Sequence, residues 1–107
     1  MNSGLLEESS LPLFVDFASD GYKALIKIGK EAPDILVLDI RMPNMDGKVL
    51  LETLKKNTTK DMKIFVSTGY PDDIDKISGL GVNATLLKPF RTRQFVNAIK
   101  ELFRGIN

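Results

Sequence analysis

Asp34-Ile35-Leu36-Val37-Leu38-Asp39-Ile40 decides the fold. The run is short, aliphatic and β-rich, and it does not alternate apolar with polar residues. That pattern suits a strand buried on both faces, as in a parallel sheet. Two further runs match it: Lys63-Ile64-Phe65-Val66-Ser67-Thr68, closed by Gly69, and Ala84-Thr85-Leu86-Leu87, closed by Lys88-Pro89. Upstream, Leu13-Phe14-Val15-Asp16-Phe17 alternates more and reads as an edge strand. Between these runs the spacing turns helical. Tyr22, Leu25, Ile26 and Gly29 share a face after a Ser19-Asp20 cap, and Pro33 lies beyond the end of that helix. Val49, Leu50, Leu51 and Leu54 stripe a second helix that ends near Lys55 and Lys56. Pro71 starts a third with Asp72 and Asp73 in its first turn; it carries Ile74, Ile77 and Leu80 and stops at Gly79 or Gly81. The last, from about Arg91 to Phe103, buries Phe95, Ala98, Ile99 and Leu102. The order β-α-β-α-β-α-β-α predicts an α/β fold, an open parallel sheet with helices on both faces.

The whole chain supports this reading. Its 107 residues make one domain, spanning 1–107, and 43% hydrophobic with 27% charged residues is an ordinary globular balance. Fifteen Lys and Arg against 14 Asp and Glu give a net charge of +1, so no polybasic footprint points to nucleic acid or to an anionic membrane. The absence of Cys and His removes thiolate and Ser-His catalysis, Cys- or His-held metals and phosphohistidine chemistry within the chain. Carboxylates, hydroxyls and amines are left to do any chemistry. The longest apolar stretch, Ile35 to Leu38, is far short of a membrane span, and no signal peptide opens the sequence, so a cytoplasmic location is expected.

Ligands of open parallel sheets bind beyond the carboxyl ends of the strands. Asp39, Thr68 and Lys88 stand at three such ends: a carboxylate, a hydroxyl and an amine. The carboxylate can serve as nucleophile, and the other two can stabilise charge on a transferred oxyanionic group. Each also has a plain structural reading: Asp39 capping its turn, Thr68 bonding loop backbone, Lys88 pairing with Asp39. On the residues alone both remain open. A nucleotide- or flavin-binding enzyme in the same crevice is disfavoured, because no glycine-rich phosphate loop follows any strand.

Asp39-Ile40-Arg41-Met42-Pro43-Asn44-Met45-Asp46-Gly47 resembles the phosphoacceptor segment of response-regulator receiver domains, in which an Asp is followed by Met-Pro-x-Met-Asp-Gly. The likeness continues through Ala18-Ser19-Asp20-Gly21-Tyr22, Ser67-Thr68-Gly69-Tyr70, Gly81-Val82 and Lys88-Pro89-Phe90. It implies a flavodoxin-like fold and a non-enzymatic signalling module that accepts a phosphoryl group on Asp39 from a histidine kinase or phosphotransfer protein and then switches protein partners. It also implies that Thr68 and Lys88 bind phosphoryl oxygens. The Arg41 backbone carbonyl, together with Asp39, would be a ligand of Mg²⁺. Pro43 fixes the loop and Gly47 frees the start of the next helix, while Met42 and Met45 pack beneath it.

The resemblance also has departures. Receivers begin with a further apolar strand ending in an acidic pair that completes the Mg²⁺ site; here Met1 to Glu8 resembles only the last turns of the first helix. About fifteen residues are missing by that measure, as expected of a fragment or of an N-terminally truncated domain. The lost strand would lie between the Leu13–Phe17 and Asp34–Ile40 strands. Direct pairing of the flanking strands, domain swapping or strand donation would close the gap, and a homo-oligomer is expected. Without the acidic pair, Mg²⁺ binding should be weak and phosphorylation by a small donor impaired. The alternative function is therefore a degenerate, unphosphorylated receiver-like interaction module. Thr85 falls where many receivers carry an aromatic residue coupled to the Thr68 position.

Overall fold

A computed structural model of the protein describes residues 13–39, 47–77 and 79–104. The elements are β1 (Val15–Ala18), α1 (Gly21–Lys30), β2 (Ile35–Asp39), α2 (Gly47–Lys56), β3 (Lys63–Thr68), α3 (Pro71–Ile77), β4 (Ala84–Leu87) and α4 (Thr92–Arg104). Every connection joins a strand to the next through a helix, and the described strands form one parallel sheet in the order β1-β2-β3-β4.

Side chains on a strand point alternately to opposite faces. Leu36 and Leu38 of β2, with Ile64 and Val66 of β3, therefore enter a core shared with Ala24 and Ile28 of α1, Leu51 and Leu54 of α2 and Ile77 of α3. Ile35, Val37 and Phe65 enter the opposite core with Leu86, Phe95 and Ile99. Three helices thus cover one face and α4 the other. The missing alternation in Ile35 to Leu38 follows directly: each residue has a core to enter.

The strands flanking the expected gap pair with each other. Val15 lies opposite Ile35, Asp16 opposite Leu36, Phe17 opposite Val37 and Ala18 opposite Leu38, all parallel. The start of β2 locks this register. The Asp34 carboxylate accepts from the Phe14 backbone N–H at 2.8 Å, while the Asp34 N–H donates to the Phe14 carbonyl, also at 2.8 Å. Lys60 sits 3.2 Å from Asp34, and the Phe14 bond and this cation hold its carboxyl below the usual range against an opposing desolvation effect. A Lys27–Asp16 ion pair at 3.0 Å ties α1 to β1.

Local chemistry sets the helix ends. The Asp20 side chain accepts from Lys23 N at 2.7 Å at the start of α1, and Lys27 and Lys30 sit in its last turn near the negative dipole end. Gln94 reaches back to accept from Arg91 N at 2.8 Å, one half of a capping box for α4. After α3 the chain turns through Gly79 and Gly81, both at φ +84, a region that disfavours side chains bearing a Cβ.

The buried face of α1 differs from the sequence expectation. Ala24 and Ile28 are buried, whereas Tyr22 is 75% and Ile26 42% exposed. Leu25 of the expected face still packs partly against the core, and α1 comes close to α2 at its start, where a Cβ on Gly21 would fall 2.5 Å from Leu50 Cδ1. Val49 likewise points outward, while Leu51 and Leu54 carry the burial of α2. On the α4 side of β1, Leu13, Val15, Phe17, Phe90 and Phe95 line a groove of about 530 Å³. No described helix is long and apolar enough to cross a membrane.

Candidate functional site

The sheet brings the predicted residues to one end. Asp39 is the last residue of β2, opposite Ser67 of β3; Thr68 is the last residue of β3, opposite Leu87 of β4; Lys88 follows β4 directly. The Lys88 backbone N–H donates to the Thr68 carbonyl at 2.7 Å, carrying the β3–β4 ladder one residue beyond the strand. The peptide bond between Lys88 and Pro89 is cis.

Lys88 Nζ lies 2.6 Å from Asp39 Oδ1, and both side chains are nearly half exposed. An ion pair so open to water adds little to stability, about 0–1 kcal/mol. What it supplies is a carboxylate oxygen at the surface of the crevice with a cation already beside it. Such an arrangement suits an incoming anionic group that must meet a nucleophilic oxygen and have its charge offset in the same place.

Thr68 is differently placed. It is 1% exposed, its hydroxyl donates to Asp73 Oδ2 at 2.9 Å, and its oxygen accepts from Tyr70 N at 3.1 Å. The strand end therefore brings the three residues to adjacent positions, with Asp39 and Lys88 in contact and the Thr68 proton committed to α3. Asp73 itself is fully buried. In the sequence it is only an acidic residue of a helix first turn; the available signal is its spacing of four from Ile77, which puts both on the core-facing side. Asp34 likewise reads only as part of its strand, yet it clamps β1 to β2.

Arg41 and Pro43 lie outside the described residues, and Gly47 begins α2. Among the described residues no cluster of three or more acidic, His or Cys side chains could hold a metal ion. The donor set described at the crevice is one carboxylate, with one oxygen already taken by Lys88, whereas Mg²⁺ demands octahedral oxygen ligation. These residues do not by themselves fit the ion that the family likeness implies.

A four-stranded parallel sheet with helices on both faces and polar residues gathered at its carboxyl end defines a flavodoxin-like α/β domain. The family model for the response regulator receiver domain matches residues 2–100. The chain is 35% identical over 101 residues to a probable transcriptional regulator, ycf27, of Guillardia theta, a match covering 92% of this chain and 39% of that protein. It is 35% identical over 92 residues to the response regulator MprA of Mycobacterium leprae, covering 84% of this chain and 40% of that protein. The chain thus spans about two-fifths of the length of these relatives. Among solved structures, a two-component response regulator from Clostridium difficile superposes with a TM-score of 0.65 at 25% identity, covering 98% of this chain and 85% of that one. The chain belongs to the response regulator receiver domain family and is a receiver domain of two-component signalling.

Proposed function

We propose that Asp39 is the phosphoacceptor of this receiver domain. Its donor is a phosphohistidine on a kinase or phosphotransfer protein: a carboxylate oxygen of Asp39 forms a bond to phosphorus as the phosphorus–nitrogen bond breaks, and the imidazole leaves. Lys88 neutralises charge on the transferred group, and the Thr68 hydroxyl turns to donate to one of its oxygens. The observation that carries this reading is the 2.6 Å contact between Asp39 and Lys88 at neighbouring strand ends. Catalysis in phosphoryl transfer is mostly positioning and charge stabilisation, which two preplaced groups on a rigid sheet provide.

The same reading makes the domain a non-enzymatic switch in the cytoplasm, with a downstream protein as its target; Asp39 and its Lys88 partner do not by themselves make a Mg²⁺ site. Direct β1–β2 pairing removes the open gap as a reason for self-association. A homo-oligomer now rests on the outer side of β1, the end strand of the described sheet, where Phe17 is 53% exposed. The function is tested by incubating wild-type protein and Asp39→Asn with acetyl phosphate at millimolar Mg²⁺ and recording intact mass. Slow, partial uptake of one phosphoryl group by the wild type and none by the variant is expected. No uptake by the wild type overturns the assignment and favours the interaction-only module, whereas equal uptake by both overturns it by placing the acceptor on another residue.

A further inference from the structure

We propose that Asp73 is a positioning residue that holds the Thr68 hydroxyl away from the crevice and competes for its proton with the phosphoryl group on Asp39. The inference rests on the phosphoacceptor reading above and extends it to a residue outside the crevice.

Thr68 has a single O–H proton and so can donate to one acceptor at a time. At rest that proton goes to Asp73 Oδ2 at 2.9 Å. The bond is shielded from water at both ends, with Thr68 1% and Asp73 0% exposed. Bonds to a carboxyl oxygen in such surroundings are not replaced by solvent when broken, so turning Thr68 toward Asp39 carries a cost that Asp73 sets.

The contact is also wired to backbone. Tyr70 N donates to the Thr68 oxygen at 3.1 Å, and Asp73 N donates to the Tyr70 carbonyl at 3.0 Å. Thr68, the Tyr70 loop and the first turn of α3 therefore form one hydrogen-bonded unit. When Thr68 gives its proton to a phosphoryl oxygen, Asp73 loses a donor and the first turn of α3 loses its side-chain tie to the end of β3. Because coupling of this kind is reciprocal, whatever holds α3 in its resting place disfavours the phosphorylated form, and whatever releases α3 favours it. Tyr70 is 49% exposed, so the unit reaches the surface at a side chain that a partner protein can read.

The test is a double-mutant cycle with wild type, Asp73→Asn, Thr68→Val and the double variant, each checked for folding by circular dichroism. Two quantities are measured: the steady-state ratio of phosphorylated to unphosphorylated chain in acetyl phosphate by intact mass, and the Tyr70 amide position in ¹H–¹⁵N spectra without phosphodonor. Asp73→Asn keeps the size and replaces the acceptor by a weaker one. It should raise the phosphorylated ratio about three- to tenfold, shift the Tyr70 amide at rest, and do neither in the Thr68→Val background. Thr68→Ser retains the hydroxyl and should restore the Asp73 dependence, which keeps the test valid should Thr68→Val fail to fold. An Asp73→Asn effect of equal size with and without the Thr68 hydroxyl, or no effect at all, overturns the inference while leaving Asp39 as the acceptor. No phosphorylation of the wild type overturns both, and is recognised because the Tyr70 shift at rest does not depend on phosphate.

Discussion

Replacing Asp34 by Ala should destabilise the domain by about 1–2 kcal/mol at pH 7, chiefly by loosening β1 from β2. The carboxylate accepts the Phe14 N–H at 2.8 Å and faces Lys60 at 3.2 Å. A hydrogen bond to a charged acceptor contributes roughly 1.5–3 kcal/mol and an exposed ion pair about 0–1 kcal/mol. With 32% of the Asp34 side chain accessible, solvent screening brings the sum toward the lower end. The effect also carries a pH signature. The Phe14 N–H, first, and then Lys60 hold the folded carboxyl below its ordinary value of 3.8. The stabilisation is therefore fully present above 3.8 and is lost as pH falls through the lower folded value. Urea unfolding of wild type and Asp34→Ala at a series of pH values reads both: the gap between midpoints should be widest near neutrality and shrink in acid. Equal midpoints at pH 7, or a gap that does not change down to about pH 3, would refute the clamp.

Other perturbations separate fold from function. Leu54 is 0% exposed in the three-helix core, so Leu54→Ala should cost about 2–5 kcal/mol, visible as a fall in thermal midpoint. Gly79 has φ +84 with no atom within 4 Å of an added Cβ, so Gly79→Ala should cost about 1–2 kcal/mol from backbone strain alone, measured by chemical denaturation. Lys88→Met should change stability by less than about 1 kcal/mol, because its pair with Asp39 is exposed, yet abolish most phosphoryl uptake in the intact-mass assay.

These expectations draw on sequence and structure unequally. The β2, β3 and β4 runs were legible because a strand buried on both faces has no polar positions to spare, and the order of elements followed from them. Asp39 and Lys88 were legible because strand ends are where an open sheet presents side chains. The packed face of α1 was legible only in part: Leu25 packs as its spacing suggests, but the face turns to Ala24 and Ile28 and leaves Tyr22 and Ile26 outside, a rotation that hydrophobic bulk alone does not indicate. How the sheet closes is not legible in the sequence, because strand pairing is a non-local choice; the Asp34–Phe14 contact, between residues 20 apart, fixes it. The orientation of Thr68 was hidden for a different reason: its partner lies only five residues on, but nothing in the sequence marks that acid as buried. Its hydroxyl answers to a buried carboxyl that, in sequence, looks like an ordinary first-turn acid.

A phosphoryl group on this domain should be carried by Asp39, the carboxylate paired with Lys88 at the end of β2. Borohydride reduction of the acetyl phosphate-treated chain converts an aspartyl phosphate to a homoserine residue, which peptide mass spectrometry then locates. The label should fall at position 39 and disappear in Lys88→Met. A label on another carboxylate, such as Asp46 or Asp72, or no label in the wild type, would contradict the claim.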